Sequence, residues 1–288
     1  MYKLVKNYKE DRQLRQSFNQ LATQTFGLTF EDWYQNGYWR NHYIPYSMVE
    51  DEQVVANVSV NPMEFLFQGE LSHVIQLGTV MSDPSVRNQG LIRRIMEEIE
   101  RDYGEQTEGM FLFANDRVLD FYPKFGFRPS VEYQYSKTVS IQEQQTILPY
   151  SMKEKESWDC LEMAIQTNQF HGGYDMIGNS ELIMFYATKF MTENIYYDKI
   201  TQTYVIAEIN QNQLILYGVY SKQDIELEQV IKLFGSTIKQ VVLEFVPKNP
   251  CGYQVTKLQK EDTTLYVKGK IVDTFSTYKL CFPALSHA

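Results

Sequence analysis

The sequence predicts an α/β (α+β) fold in which helices flank a mixed, mostly antiparallel, twisted sheet. Short runs of alternating apolar and β-branched residues, separated by polar turns, lead into residues 74–127. In that region a strand, a glycine-containing loop and an amphipathic helix follow one another. The order of hairpin, helix, strand and late strand returns further along the chain. We therefore expect two domains, residues 1–142 and residues 143–288.

The first half begins with a helix predicted for residues 10–26, because Leu14 and Phe18 lie on one face and Gly27 ends the pattern. Strands are predicted at residues 2–6, 46–49, 53–60, 64–67, 74–81 and 110–114. We expect residues 133–135 to complete the sheet of this half.

The loop at residues 86–90 is the first candidate for a binding site. It is followed by apolar residues at helical spacing, namely Leu91, Ile92, Ile95, Met96 and Ile99. The free N–H groups and the positive end of such a helix converge on one place, which favours an anionic phosphate. Gly90 lets the backbone approach closely, and the guanidinium of Arg87 adds donors that suit phosphate oxygens.

Beyond the strand at residues 110–114, a short helix is predicted to begin at Asn115. Tyr122 follows seven residues later, which is two helical turns. A carboxamide and a phenol would then share one face of this helix, and that face points to something other than the core.

The spacing Pro84-x-x-Arg87-x-x-Gly90, followed by Asn115, Tyr122 and the Gly126-Phe127 turn, resembles the acetyl-coenzyme A signature of the GNAT superfamily of N-acetyltransferases. The resemblance implies that loop amides hold the pyrophosphate, a strand and an asparagine hold the pantetheine, and a tyrosine protonates the leaving thiolate. The implied pyrophosphate residues are Arg87, Asn88, Gln89, Gly90, Leu91 and Ile92; the pantetheine residues are Val80, Met81 and Asn115; and the acid is Tyr122. One residue departs from the family pattern, since Ile92 stands where glycine or alanine is usual.

The aromatic segment at residues 28–45 supplies candidates for acceptor binding. In GNAT relatives this region roofs the acceptor pocket, so Trp33 and Tyr38 are candidate substrate-binding residues that can face a cation. The favoured alternative is that these rings pack a short helix onto the sheet.

Composition limits the function classes. A net charge of −9 without a basic run disfavours nucleic acid as a ligand and suits an amine or another cation, although acidity also keeps a protein soluble.

The three cysteines form no C-x-x-C pair and the four histidines do not have the spacing of metal ligands, so we expect no metal. No membrane span and no signal-peptide core are visible, which favours a cytoplasmic protein. A homo-oligomer is compatible with the sequence.

The second half is expected to be a degenerate GNAT-like domain. Its loop at residues 221–224 has neither glycine nor an arginine fork, so it should not bind coenzyme A. His171-Gly172-Gly173-Tyr174 resembles an esterase oxyanion motif, but the chain has no G-x-S-x-G elbow. We interpret that stretch as a turn between two helices.

The sequence thus predicts an acetyl-CoA-dependent N-acetyltransferase that acts on a primary amine of a small molecule or peptide by direct transfer in a ternary complex. A non-catalytic protein that senses coenzyme A ligands, or a scaffold, is the main alternative, and longer acyl or aminoacyl donors are a weaker one. The general base stays open among Glu52, Glu64, Glu70, His42, His73 and residues 282–288.

Overall fold

A computed structural model describes residues 1–144 and 146–288. Its strands are β1 (Lys3–Lys6), β2 (Ile44–Glu50), β3 (Gln53–Phe67), β4 (Glu70–Ser82), β5 (Gly109–Ala114), β6 (Arg128–Pro129), β7 (Tyr133–Thr138), β8 (Tyr174–Ile177), β9 (Ile195–Asp198), β10 (Thr203–Asn210), β11 (Gln213–Ser221), β12 (Gln240–Leu243), β13 (Gln254–Lys257) and β14 (Thr264–Gly269). Its α-helices are α1 (Arg12–Phe26), α2 (Glu31–Gln35), α3 (Leu91–Tyr103), α4 (Lys155–Gln166), α5 (Ser180–Lys189), α6 (Leu227–Lys232) and α7 (Thr274–Tyr278). None of the helices in the described residues has the length and hydropathy of a membrane span.

Within the described residues, the strands form an eight-stranded and a six-stranded sheet. The first has the order β1-β2-β3-β4-β5-β14-β6, with β8 paired to the far end of β3. On one face, the apolar side of α3 packs through Ile95 and Ile99 against Val58 and Val60. On the other face lies a larger core, which includes Phe18 of α1 together with residues of the second half. The predicted mixed, mostly antiparallel fold is confirmed.

The two sheets exchange strands. The second sheet has the order β13-β7-β12-β11-β10-β9, so β7, which follows β6 in the chain, lies between β12 and β13. In the same way β14 lies between β5 and β6. The expectation that residues 133–135 complete the first sheet was wrong, because β14 occupies that place. The division into residues 1–142 and 143–288 stays a prediction, and both sheets include strands from across it.

As far as the described residues show, each sheet contains one parallel pair of strands, and the sheet opens at that pair. β4 pairs with β5 only from Val74 to Gln76, and β11 pairs with β12 only from Gln213 to Leu216. Beyond these registers the paired strands diverge, although β4 and β11 both continue for several residues. A bulge accompanies the first opening, because the register of β3 on β4 shifts near Asn57 and Thr79 has a φ of 46°. The divergence leaves one cleft in each half.

Two local predictions were wrong. The helix expected from Asn115 to Tyr122 is instead a pair of 3₁₀ turns, Asp116–Val118 and Tyr122–Phe125. Pro123 has no N–H to donate to the carbonyl oxygen four residues earlier, and so short a segment cannot offset the cost of helix nucleation. The turn expected at residues 171–174 leads directly into β8, which pairs with β3 and ties the two halves together.

Candidate active site

The cleft of the first half opens into a cavity of about 340 Å³. One wall is the diverging part of β4 from Leu77 to Val80. Aromatic side chains of residues 30–43 and of α5 form the opposite walls, and Tyr122, Asn115 and residues 287–288 complete the lining. Both halves of the chain therefore contribute to one cavity.

The β4 wall presents backbone groups to the cavity. Because the register with β5 stops at Gln76, the edge of β4 beyond it has no strand partner on that side among the described residues. The bulge is held in place by Asn57, whose Nδ2 donates to the carbonyl oxygen of Thr79 at 2.9 Å. The hydroxyl of Tyr43 also hydrogen-bonds that of Thr79. An extended ligand can pair with this edge as an added strand.

Tyr122 contributes a phenol to the cavity. Its side chain is 5% exposed and packs against Phe127 and Tyr266. Burial raises the pKa of the phenol to about 12, with no hydrogen bond or charge contributing within the described part of the chain. The hydroxyl is therefore protonated at neutral pH and able to donate to a ligand.

Asn115 is held by a residue that sequence analysis missed. Its Nδ2 donates to the Asp262 carboxylate at 3.1 Å and to the Asp262 carbonyl oxygen at 3.2 Å. The N–H of Asp116 donates to the same carboxylate at 2.7 Å. Asp262 lies in the turn that leads into β14, so the exchanged strand fixes the Asn115 loop. No local sequence pattern relates Asn115 to a residue so far along the chain.

The glycine loop has the geometry of an anion site. Asp83 accepts from the N–H of Ser85 at 2.8 Å and caps the 3₁₀ turn before the loop. Gly90, with a φ of 76°, is the N-cap of α3, and no side chain of the described residues caps this helix. The N–H groups of its first turn therefore point toward the exposed loop that carries Arg87. Ile92, where the pattern departs from the family, packs against the core beneath α3.

Comparison with known proteins agrees with this geometry. Residues 9–130 match the family model of the acetyltransferase (GNAT) domain. This part of the chain is a GNAT acetyltransferase domain. A search of curated protein sequences finds no significant match.

Solved structures share the fold of the whole chain. A probable N-acyltransferase from Enterococcus faecalis is 17% identical with a TM-score of 0.59, and the match covers 96% of this chain and 74% of that one. Eis1 from Mycobacterium abscessus is 10% identical with a TM-score of 0.56, covering 95% and 75%. A GCN5-related N-acetyltransferase from Kribbella flavida is 12% identical with a TM-score of 0.53, covering 93% and 71%. At these identities the likeness concerns the fold.

The aromatic segment of the GNAT domain both packs and lines the cavity. Trp33 faces the cavity, contacts Phe185 with ring centroids 5.3 Å apart, and donates from Nε1 to the carbonyl oxygen of Glu181 at 2.9 Å. Phe30 stacks on Phe185 at 5.4 Å. Tyr38 is buried and lies outside the cavity lining. The structure thus brings Trp33 together with Tyr122, and leaves Tyr38 apart.

Residues 287–288 enter the cavity from the second half. The N–H of Ala288 donates to Oε1 of Gln76 at 3.0 Å, and Nε2 of Gln76 donates back to the Ala288 oxygen at 3.4 Å. The ring of His287 stacks on Phe113 with centroids 3.9 Å apart, and burial lowers its pKa to about 3. A Cβ at Gly78 would lie 2.5 Å from the Ala288 oxygen, so glycine is required where this segment crosses β4.

The other candidate bases lie outside this cavity. Glu64 and His73 pair with each other at 3.2 Å on the surface, and Glu52 accepts from Gln13 at 2.7 Å. Glu70 is exposed at the start of β4. His42 is engaged by Glu181, a buried carboxylate that sequence analysis missed, and their hydrogen bond raises the pKa of His42. Of the candidate bases, only residues from 282–288 line the cavity in the described chain. The described residues contain no cluster of His, Cys, Asp or Glu that could hold a metal ion.

Proposed function

We propose that this protein is an acetyl-CoA-dependent N-acetyltransferase that acetylates a primary amine of a small molecule or peptide by direct transfer in a ternary complex. The observation that carries the proposal is that the unpaired edge of β4 and the phenol of Tyr122 share one cavity. The GNAT domain at residues 9–130 supports acyl transfer as the reaction class.

The donor site would extend from the cavity to the glycine loop. Acetyl-CoA supplies the acetyl group as a thioester. The main-chain N–H groups of residues 87–92 would hold its diphosphate, with Arg87 adding charge. The edge of β4 at Val80 and Met81 would pair with the pantetheine arm, and Oδ1 of Asn115 is available because Asp262 binds only its Nδ2.

Tyr122 would act as the general acid. Loss of the thiolate leaving group requires a proton at the sulfur, and a phenol with a raised pKa holds its proton until that moment. Because the ring is packed on Phe127 and Tyr266, the hydroxyl has a fixed position.

The acceptor would lie between Trp33 and residues 287–288. The nucleophile must be an uncharged amine, and the apolar aromatic walls favour the neutral form through desolvation. The neutral imidazole of His287 can accept a hydrogen bond from that amine. Tyr38, which lies outside the cavity, has no part in this proposal.

The test has two measurements on the full chain. Calorimetry with acetyl-CoA is expected to show one site per chain, since only the first half has the glycine loop. Release of free thiol from acetyl-CoA is then followed across a panel of polyamines, aminoglycosides, amino acids and peptides. Tyr122→Phe should lower kcat by about 10²–10⁴-fold with donor affinity unchanged, because only the proton donor is lost. Thiol release that is insensitive to this substitution would contradict the role of Tyr122.

A second candidate is a protein that binds coenzyme A ligands without transfer. The observation that favours it is that Ala288 occupies space directly over Gly78, at the wall where the thioester would lie. Binding of acetyl-CoA without thiol release for any amine would support this candidate over the enzyme.

A further inference from the structure

The second half contains a cleft at the position that corresponds to the active-site cleft. In the first half, Gly78 and Phe113 follow the last β4–β5 pair, Gln76 and Phe111, by two residues each. In the second half, Gly218 and Phe245 follow the last β11–β12 pair, Leu216 and Leu243, by the same distance. Gly78 and Phe113 line the first cavity, whereas Gly218 and Phe245 line a separate cavity of about 180 Å³.

Helix α5 separates the two cavities. Ser180 and Ile183 face the second cavity, whereas Leu182 and Phe185 on the other side of the helix face the first. Residues 283–288 also run between them, with Leu285 on the second cavity and Ala288 on the first. Helix α5 and residues 283–288 therefore form the wall between two separate cavities.

The second cavity contains polar groups without partners. Asn179 is 3% exposed, and its Oδ1 accepts from the N–H of Leu182 to cap α5. Among the described residues, its Nδ2 and the Nδ1 of His171 have no hydrogen-bond partner. Buried polar groups in folded proteins nearly always have partners, so these atoms point to a missing one.

Asp175 adds a negative charge to the same cavity. Its carboxylate accepts from the N–H of Gly172 and lies 3.7 Å from Nδ1 of His171. Within the described residues no lysine or arginine pairs with it, although its side chain is only 19% exposed. A carboxylate in so enclosed a place favours a cationic partner.

We propose that this second cavity binds a small organic amine that also carries a hydroxyl or carbonyl group on an apolar body. The ammonium group would pair with Asp175, and the oxygen would accept from Nδ2 of Asn179. Phe170, Val219 and Phe245 provide the apolar contact. The volume equals that of about six liquid waters, which limits the ligand to a small molecule. This inference does not rest on the proposed acetyltransferase activity.

The test is calorimetry of the full chain with tyramine, which has a primary amine and a phenol on one ring. Asp175→Asn keeps the shape of the side chain and removes its charge, so tyramine should bind at least about tenfold more weakly. Ile183→Phe fills the second cavity and should have at least as large an effect. Leu182→Phe, the neighbouring residue on the opposite face of α5, fills the first cavity and should leave the affinity within about twofold.

Two further measurements serve as controls. 4-Ethylphenol, which lacks the amine, should bind at least about tenfold more weakly than tyramine to the wild-type chain. Circular dichroism and thermal melting establish whether each variant is folded. If Ile183→Phe does not fold, the affinity of Asp175→Asn for tyramine alone tests the proposal. No tyramine binding at millimolar concentration would overturn the proposal. So would binding that Leu182→Phe abolishes while Ile183→Phe and Asp175→Asn leave it intact.

Discussion

The cleft between β4 and β5 and the cleft between β11 and β12 arise from the same arrangement of strands but end in different surroundings. The first continues into Gly90 and the 13-residue helix α3. The second continues into residues 221–226, without glycine, and the six-residue helix α6. Glycine before a helix lets an anion approach the free N–H groups of the first turn closely, and a longer helix aligns more peptide dipoles behind them. The sheet therefore creates a cleft in each half, and the two clefts differ in how well the loop after them could hold an anion.

The largest expected effect concerns Glu132, which lies where the chain crosses from the first sheet to β7. Burial raises the pKa of this carboxyl from its ordinary 4.5 to about 7, and it accepts from the N–H of Phe282 at 2.9 Å. The carboxyl of Glu244 and the ammonium of Lys260 also act on it. Because the folded state holds the proton more tightly than the unfolded chain, stability from Glu132 falls as the pH rises from about 4.5 to 7.

Glu132→Gln should remove this dependence while keeping an acceptor for Phe282. Above pH 7 the variant should be more stable than the wild type by up to about 3 kcal/mol, the free energy equivalent of the pKa shift. Denaturant unfolding at pH 5 and pH 8 measures the difference. An equal loss of stability in the variant at both pH values would mean that the carboxylate itself is needed at this crossing.

Charge reversal in the two corresponding loops tests the comparison directly. Arg87→Glu should weaken acetyl-CoA binding by about tenfold or more, because a charge-assisted contact to phosphate is replaced by repulsion. Lys222→Glu, in the loop after β11, should leave the affinity unchanged. Calorimetry with acetyl-CoA measures both variants, and equal effects would show that long-range charge, rather than the glycine loop, attracts the donor.

Gly78 and Gly218 occupy corresponding positions in the two clefts, but a different group lies next to each. An added Cβ at Gly78 would press on the Ala288 backbone, whereas one at Gly218 would meet the phenol oxygen of Tyr220. Gly78→Ala should destabilise the fold by about 1–3 kcal/mol and also raise the KM for the amine, because residues 287–288 are displaced. Gly218→Ala should destabilise without changing that KM. Thermal melts and steady-state kinetics provide the readouts, and an unchanged KM in Gly78→Ala would remove residues 287–288 from the acceptor site.

The smallest expected effect is the absence of an alkaline decline in activity. With a pKa of about 12 in place of 10.0, the Tyr122 phenol stays protonated across pH 7–10. Over that range kcat for a given amine should rise as the amine loses its proton and then level off. A decline with an apparent pKa near 10 in the pH–rate profile would show that the phenol is not desolvated in the working enzyme.

Local sequence pattern was sufficient to predict the glycine-containing loop before α3 and most of the helices and strands. The predicted end of α1 at Gly27 and the glycine loop before α3 are present because each depends on nearby residues only. The partners of β7 and β14 could not be predicted, since strand pairing across the two halves leaves no local signal. The hydrogen bonds between Asn115 and Asp262 and between Ala288 and Gln76 could not be predicted either, for the same reason. Tyr122 faces the cavity although the helix that was expected to orient it is absent.

Because β7 and β14 are exchanged between the sheets, the two halves of the polypeptide are interlocked. Each sheet holds an inner strand that the opposite half supplies, so neither half contains a complete sheet by itself. Proteolytic nicking at residues 142–144 should therefore leave two fragments that migrate together under native conditions and part only on denaturation.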